Sequence, residues 1–128
     1  MVSFRSGCPI ASALDVFGDK WTLVILRSMV MGASSYSDLL NQPEKIATNI
    51  LADRLSRMEA AGLISREKAR RGTQRGTYRL TQKGAELLPV LQALARWGEN
   101  NLPARWHAPE EFYAMSTGSL GVEKRDDV

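Results

Sequence analysis

The sequence predicts one α+β domain, mostly helical, in which four helices lead into a two-stranded hairpin and a long closing helix. Three observations predict it. Apolar residues recur at helical spacing through residues 9–31 and 46–62, punctuated by glycines and a proline. A period-two alternation appears over residues 64–68 and 77–80, on either side of a Gly- and Arg-rich loop. After Thr81 a stretch of about twenty residues carries a broad apolar face.

Taken in order, residues 1–7 read as a flexible arm. Pro9 suits the first turn of a helix, where a missing N–H costs nothing, and Ile10, Leu14 and Phe17 follow at helical spacing until Gly18. Asp19 is the expected N-cap of a second helix over 20–31. Its residues Trp21, Leu23, Val24, Ile25, Leu26, Met29 and Val30 leave so little polar surface that it belongs at the centre of the core. Ser37 is the expected cap of a short third helix over 38–42, closed by Pro43.

A fourth helix starts near Ala47 or Thr48. Leu51, Leu55 and Met58 make its buried stripe, while Asn49, Asp53, Ser56 and Ala60 fall on the opposite face with Ala52 and Arg57 beside them. Gly62 ends it. The hairpin follows, with strands at 64–68 and 77–80 and with Tyr78 and Leu80 turned to the core. Thr81 caps a fifth helix over 82–101, expected to bend at Pro89. Beyond Pro103, Trp106, Phe112, Tyr113 and Met115 suggest one short docked helix after Pro109. From Ser116 the composition predicts disorder.

Composition narrows the function. A chain of 128 residues with 44% hydrophobic and 24% charged residues is sized for a single globular domain. The single cysteine, Cys8, rules out an intrachain disulfide and fits a reducing cytoplasm. No apolar run approaches the roughly 18–20 residues of a membrane span, and the N-terminal stretch, interrupted by Asp15, does not read as a secretion signal. His107 is the lone histidine, so a His-based metal cluster or catalytic triad is not available. With no nucleophile–base pair and no phosphate-cradling glycine loop, no catalytic residue, metal or cofactor is expected.

Charge points to the partner. The formal net charge is +3, but residues 64–83 hold seven basic residues against Glu67 alone, a local +6 on a body of −3. Such a patch favours a polyanion. A helix with a small, polar outer face followed by a basic hairpin suits double-stranded DNA, the helix reading base edges in the major groove and the hairpin meeting phosphates or the minor groove.

The order and spacing of several short marks carry a resemblance. They are Cys8-Pro9, Gly18-Asp19-Lys20-Trp21, Leu51-Ala52-Asp53-Arg54-Leu55, Glu59-Ala60-Ala61-Gly62-Leu63-Ile64, Tyr78-Arg79-Leu80-Thr81-Gln82-Lys83-Gly84 and Trp97-Gly98. Over residues 8–102 the chain resembles the HxlR-type winged helix-turn-helix transcriptional regulators, relatives of the MarR group. Residues 103–128 then form a partly disordered extension. The resemblance implies a homodimer joined through the first and last helices, here Ile10, Leu14, Leu91, Leu94 and Trp97, and control of nearby genes. It departs at Tyr36, Ala47, Asn49 and Ala52, where relatives commonly carry Phe, Ser, a basic residue and Thr. That shifts the expected phosphate affinity toward the wing.

The candidate contacts follow. On the recognition helix they are Thr48, Asn49, Ala52, Asp53, Ser56 and Arg57, where Asn49 suits an adenine edge and Arg57 can equally pair with Asp53 one turn earlier. On the wing they are Lys68, Arg70, Arg71 and Arg75. Lys20, Ser35 and Ser37 sit at helix starts, where they can either cap or meet phosphate. Cys8 is either a small apolar residue or, as the resemblance implies for some members, a redox or electrophile sensor helped by Arg5. An oxidant or small molecule is therefore the expected effector. The competing reading is a winged-helix module that binds protein or RNA. A cysteine-dependent redox protein fits less well, since Cys8 lacks a resolving partner.

Overall fold

The computed structural model describes residues 3–67 and 76–122. Its elements are α1 (Pro9–Phe17), α2 (Thr22–Val30), α3 (Tyr36–Leu40), α4 (Thr48–Ala60), β1 (Ile64–Glu67), β2 (Thr77–Leu80), α5 (Gln82–Ala85), α6 (Leu88–Asn101), α7 (Glu110–Ala114) and a 3₁₀ turn at Thr117–Leu120. The mostly helical α+β architecture with a two-stranded wing is that expected from the pattern.

The apolar helix α2 lies at the centre. Ile25, Leu26, Met29 and Val30 are buried among Leu39, Leu51, Leu55, Met58, Leu63, Ile64, Tyr78, Leu88 and Leu91. Its buried hydroxyls are satisfied locally: Ser28 donates to the Val24 carbonyl at 3.2 Å, and Thr22 donates to Asp19. The N-cap position is Trp21 rather than the expected Asp19, and it carries no side-chain cap; Asp19, two residues before it, accepts from the N–H groups of Trp21 and Thr22 at 2.8 and 2.9 Å. The helix begins at Thr22, two residues later than expected, because this carboxylate holds the first turn from outside.

The third helix is capped differently from the expectation. Ser35, not Ser37, accepts from the Asp38 N–H at 3.0 Å, and the Asp38 carboxylate returns to the N–H groups of Ser34 and Ser35 at 3.2 Å. This reciprocal box starts the helix at Tyr36 and places Ser37 inside it. The N–H bonds from Ser34 and Ser35 depress the Asp38 pKa.

The strands pair antiparallel with Ile64 opposite Leu80 and Glu67 opposite Thr77. The loop before α3 joins them, since Ser35 bridges Thr77 and the Tyr78 N–H donates to Ser34 at 2.7 Å. Tyr78 is buried and Arg79 exposed, as the alternation requires.

The expected long helical stretch over 82–101 is present, and its expected bend is sharper than foreseen: residues 86–87 interrupt it and divide it into α5 and α6. A proline has no N–H to give the carbonyl four residues back, and its ring collides with that carbonyl. Pro89 therefore ends α5 at Ala85 and sits in the first turn of α6, where its missing N–H is harmless. The C-terminal extension packs back on α6. Gln92 donates to the carbonyls of Phe112 and Met115, both at 2.9 Å, and Phe112 is buried. Where disorder was expected from Ser116, residues 117–120 instead form the 3₁₀ turn, closed by a Ser116–Ser119 capping box. At the other end, the expected loose arm is tied to α1 by Arg5, which meets Asp15 at 2.6 Å.

Candidate nucleic-acid interface

The site is built on α4, and the chain holds that helix at both ends. Its inner stripe, Leu51, Leu55 and Met58, is buried, with Leu51 at 0% exposure. Each such side chain contributes on the order of 1.5–3 kcal/mol by leaving water. At the N-terminus Ala47 offers no side-chain cap, but the Tyr36 hydroxyl donates to the Thr48 carbonyl at 3.0 Å and fastens the first turn to α3. The preceding loop is held from α2, where Arg27 grips Glu44 through two bonds of 2.7 and 2.9 Å. That guanidinium keeps the Glu44 carboxyl below its ordinary range.

The C-terminus is clamped by the residues that follow the wing. Gly62, at φ +78°, ends the helix: its N–H bonds Glu59 and the Leu63 N–H bonds Met58, the paired arrangement that satisfies the last carbonyls. Thr81 donates its hydroxyl to the Gly62 carbonyl at 2.6 Å, and Lys83 donates to the Ala61 carbonyl at 2.8 Å. Gly84 lies so close to this corner that a Cβ there would stand 2.0 Å from the Leu63 oxygen. The Thr81-Gln82-Lys83-Gly84 mark thus has a physical reason. It welds the base of the wing to the end of α4.

The outer face of α4 presents Thr48, Asn49, Ala52, Asp53, Ser56 and Arg57, all exposed. The Asp53–Arg57 pair is present, with the guanidinium Nε 3.0 Å from the carboxylate. Asp53 also contacts Arg54, which sequence reasoning had not singled out. Arg54 reaches Asp19 at 3.2 Å and so ties the face of α4 to the start of α2. Partial burial raises the Asp19 pKa, but the hydrogen bonds from Thr22, Trp21 and Arg54 outweigh it and hold the group ionised below the usual range. Asp19 and Arg54 each belong to a quoted mark, and only the fold shows that the two marks meet.

The wing residues Lys68, Arg70, Arg71 and Arg75 lie outside the described residues. At its described base Arg66 and Arg79 are exposed, and Arg79 stands 3.5 Å from Glu67, a rim pair of little strength. Of the residues at helix starts, Lys20 is exposed and lies 5.9 Å from the Trp21 ring. The Ser35 hydroxyl is engaged as a cap. Ser37 is exposed and accepts from Asn41 at 3.4 Å.

Two other groups complete the picture. Cys8 is exposed at the start of α1, but Arg5 turns to Asp15 rather than toward the thiol. Ile10 (73% exposed), Leu14, Leu94 and Trp97 (60%) are bare apolar side chains, and α1 buries no residue at all. Leu91, grouped with them in the sequence, instead packs in the core at 7% exposure. No helix among the described residues is long and apolar enough to cross a membrane.

Comparison with known proteins agrees with this geometry. A family model described as HxlR-like helix-turn-helix matches residues 16–106. The HTH-type transcriptional regulator YybR of Bacillus subtilis, itself uncharacterised, is 30% identical over 97 residues, covering 76% of this chain and 78% of that protein. Among solved structures, PA1607 superposes with a TM-score of 0.72 at 35% identity, covering 81% of this chain and 73% of that one. The redox regulator HypR in its reduced form does so at 0.69 and 28%, covering 75% and 95%.

Proposed function

The chain belongs to the HxlR-like helix-turn-helix family, and we propose that this transcriptional regulator binds double-stranded DNA as a homodimer, each α4 in a major groove and each wing along the flanking backbone. One observation carries the reading. Helix α4 is anchored at both ends and along its inner stripe, while its outer face offers small and polar side chains and the paired charges of Asp53 and Arg57 to a partner. A rigid helix with that face fits base edges. The exposed apolar residues Ile10, Leu14, Leu94 and Trp97 support a second copy as the cover for α1 and α6.

Selection of bound DNA from a random pool, with the purified protein, tests it. The expected product is a symmetric site with half-sites about one helical turn apart. The wing is tested by salt dependence: Arg71→Ala should flatten the plot of log affinity against log salt by about one unit. A protein that enriches no sequence and shows no salt dependence overturns the DNA reading in favour of a protein- or RNA-binding module.

A redox input at Cys8 is the second element of the proposal. Its support is the exposed thiol at the start of α1 and the likeness to the redox regulator HypR. Oxidation would join Cys8 to a second copy or to a small thiol, next to the apolar face of α1. Oxidant should then change DNA affinity in the wild type and leave Cys8→Ser unaffected. An equal response in both proteins removes Cys8 from the function.

A further inference from the structure

We propose that Asp53 is the specificity-determining residue of α4, a fixed carboxylate that selects cytosine at one position of each half-site. The inference rests on the DNA-binding reading above and deepens it.

A carboxylate in the middle of a DNA-facing helix is at first sight a defect, since it repels phosphate. Its surroundings give it another use. Asp53 is half-exposed, so its oxygens reach the outer face, yet it is held from two sides. Arg57 meets it at 3.0 Å from the next turn. Arg54, only 20% exposed, contacts it from the flank and is itself anchored 3.2 Å from Asp19. Asp19 in turn is pinned by the N–H groups of Trp21 and Thr22. The carboxylate therefore belongs to a chain of charges, Asp19–Arg54–Asp53–Arg57, that starts in the turn before α2 and ends on the outer face of α4.

Two consequences follow. First, the charges of α4 itself cancel, Asp53 and Glu59 against Arg54 and Arg57, so the helix approaches DNA without net attraction and contributes little to binding that ignores sequence. Second, the exposed carboxylate oxygens only accept hydrogen bonds. In the major groove guanine and thymine offer acceptors at the positions a side chain reaches, and they repel a carboxylate. Adenine offers one amine beside the acceptor N7. Cytosine offers its amine alone, so it is the base edge that a fixed carboxylate discriminates best. Asn49, one turn earlier, has both donor and acceptor and suits an adjacent adenine.

The test is parallel selection of bound DNA by the wild type, Asp53→Asn and Arg54→Gln, with affinities measured across salt concentrations. The wild-type motif should hold one cytosine position per half-site. Asp53→Asn should lower the preference there roughly tenfold and leave the other positions intact. It should also bind unrelated DNA more tightly, with a salt dependence steeper by about one unit, because Arg57 is freed for phosphate. Arg54→Gln, which unties the carboxylate from Asp19, should weaken the same preference without moving it to another base. A motif and salt slope unchanged in Asp53→Asn overturn the proposal while leaving DNA binding in place. A wild type that selects no motif overturns the DNA reading itself, before any variant is compared.

Discussion

Helices α4 and α1 solve opposite problems. Helix α4 buries an apolar stripe, is bonded at each end to other elements, and turns polar side chains outward. Helix α1 is more apolar, buries none of its residues, and has Ile10 and Leu14 exposed. The contrast shows which surface is complete within one chain. The outer face of α4 needs nothing further from its own protomer and suits a polar, charged partner. The face of α1 leaves apolar side chains bare, which a second copy would cover in the homodimer proposed above.

The largest expected effect tests this contrast directly. Leu51→Ala should cost about 2–5 kcal/mol of unfolding free energy, because it opens a cavity under α4. Leu14→Ala should cost the protomer less than about 0.5 kcal/mol in chemical denaturation at low protein concentration. Its effect should appear in sedimentation as weaker self-association, and with it a loss of the rise in melting temperature with protein concentration. Equal losses from the two substitutions in dilute protein would break the comparison.

Next in size is the clamp at the end of α4. Gly84→Ala drives a methyl group into the Leu63 carbonyl, so the backbone must shift, at an expected cost of about 1–3 kcal/mol. The same change at Gly98, where a Cβ meets nothing within 4 Å, should be neutral or slightly stabilising in the same denaturation series. Loss of the Ser35 cap is smaller: Ser35→Ala should lower stability by about 1 kcal/mol, and Ser37→Ala by much less.

The smallest effect concerns the extension docked on α6. The Tyr113 hydroxyl, His107 and the Ala108 N–H all bond the Glu99 carboxylate, which holds its pKa down to about 2. In return, that bond raises the pKa of the Tyr113 phenol. A carboxyl with a depressed folded pKa stabilises above its unfolded value, near 4.5, and that contribution is lost as pH falls toward 2. Hydrogen exchange at Ala108 and Phe112 should therefore quicken over that window relative to core amides. In Glu99→Gln the dependence should vanish. A pH response unchanged in this variant would assign it to another group.

Much of the fold was legible because it is written in local pattern. The Leu51–Leu55–Met58 stripe, the Gly62 stop and the period-two alternation around Tyr78 each depend on residues a few positions apart. The departures came where two local rules competed. Ser35 and Ser37 are both good caps, and Ser35 prevailed because Asp38 lies three residues on and Thr77 holds its backbone from the wing. Pro89 could bend a helix or start one, and it started α6. Leu91 and Leu94 look alike in sequence, but only Leu91 faces the core.

The sequence by itself determined the mostly helical class, the order of elements, the polar outer face of α4 and the concentration of positive charge after it. These follow from spacing and composition, which need no knowledge of what touches what. The tertiary structure alone decided how α4 is held: Arg54 to Asp19 across 35 residues, Lys83 to Ala61 across 22, Tyr36 to Thr48 across 12. Such bonds join elements that are distant in the chain, and their geometry exists only once the core has packed.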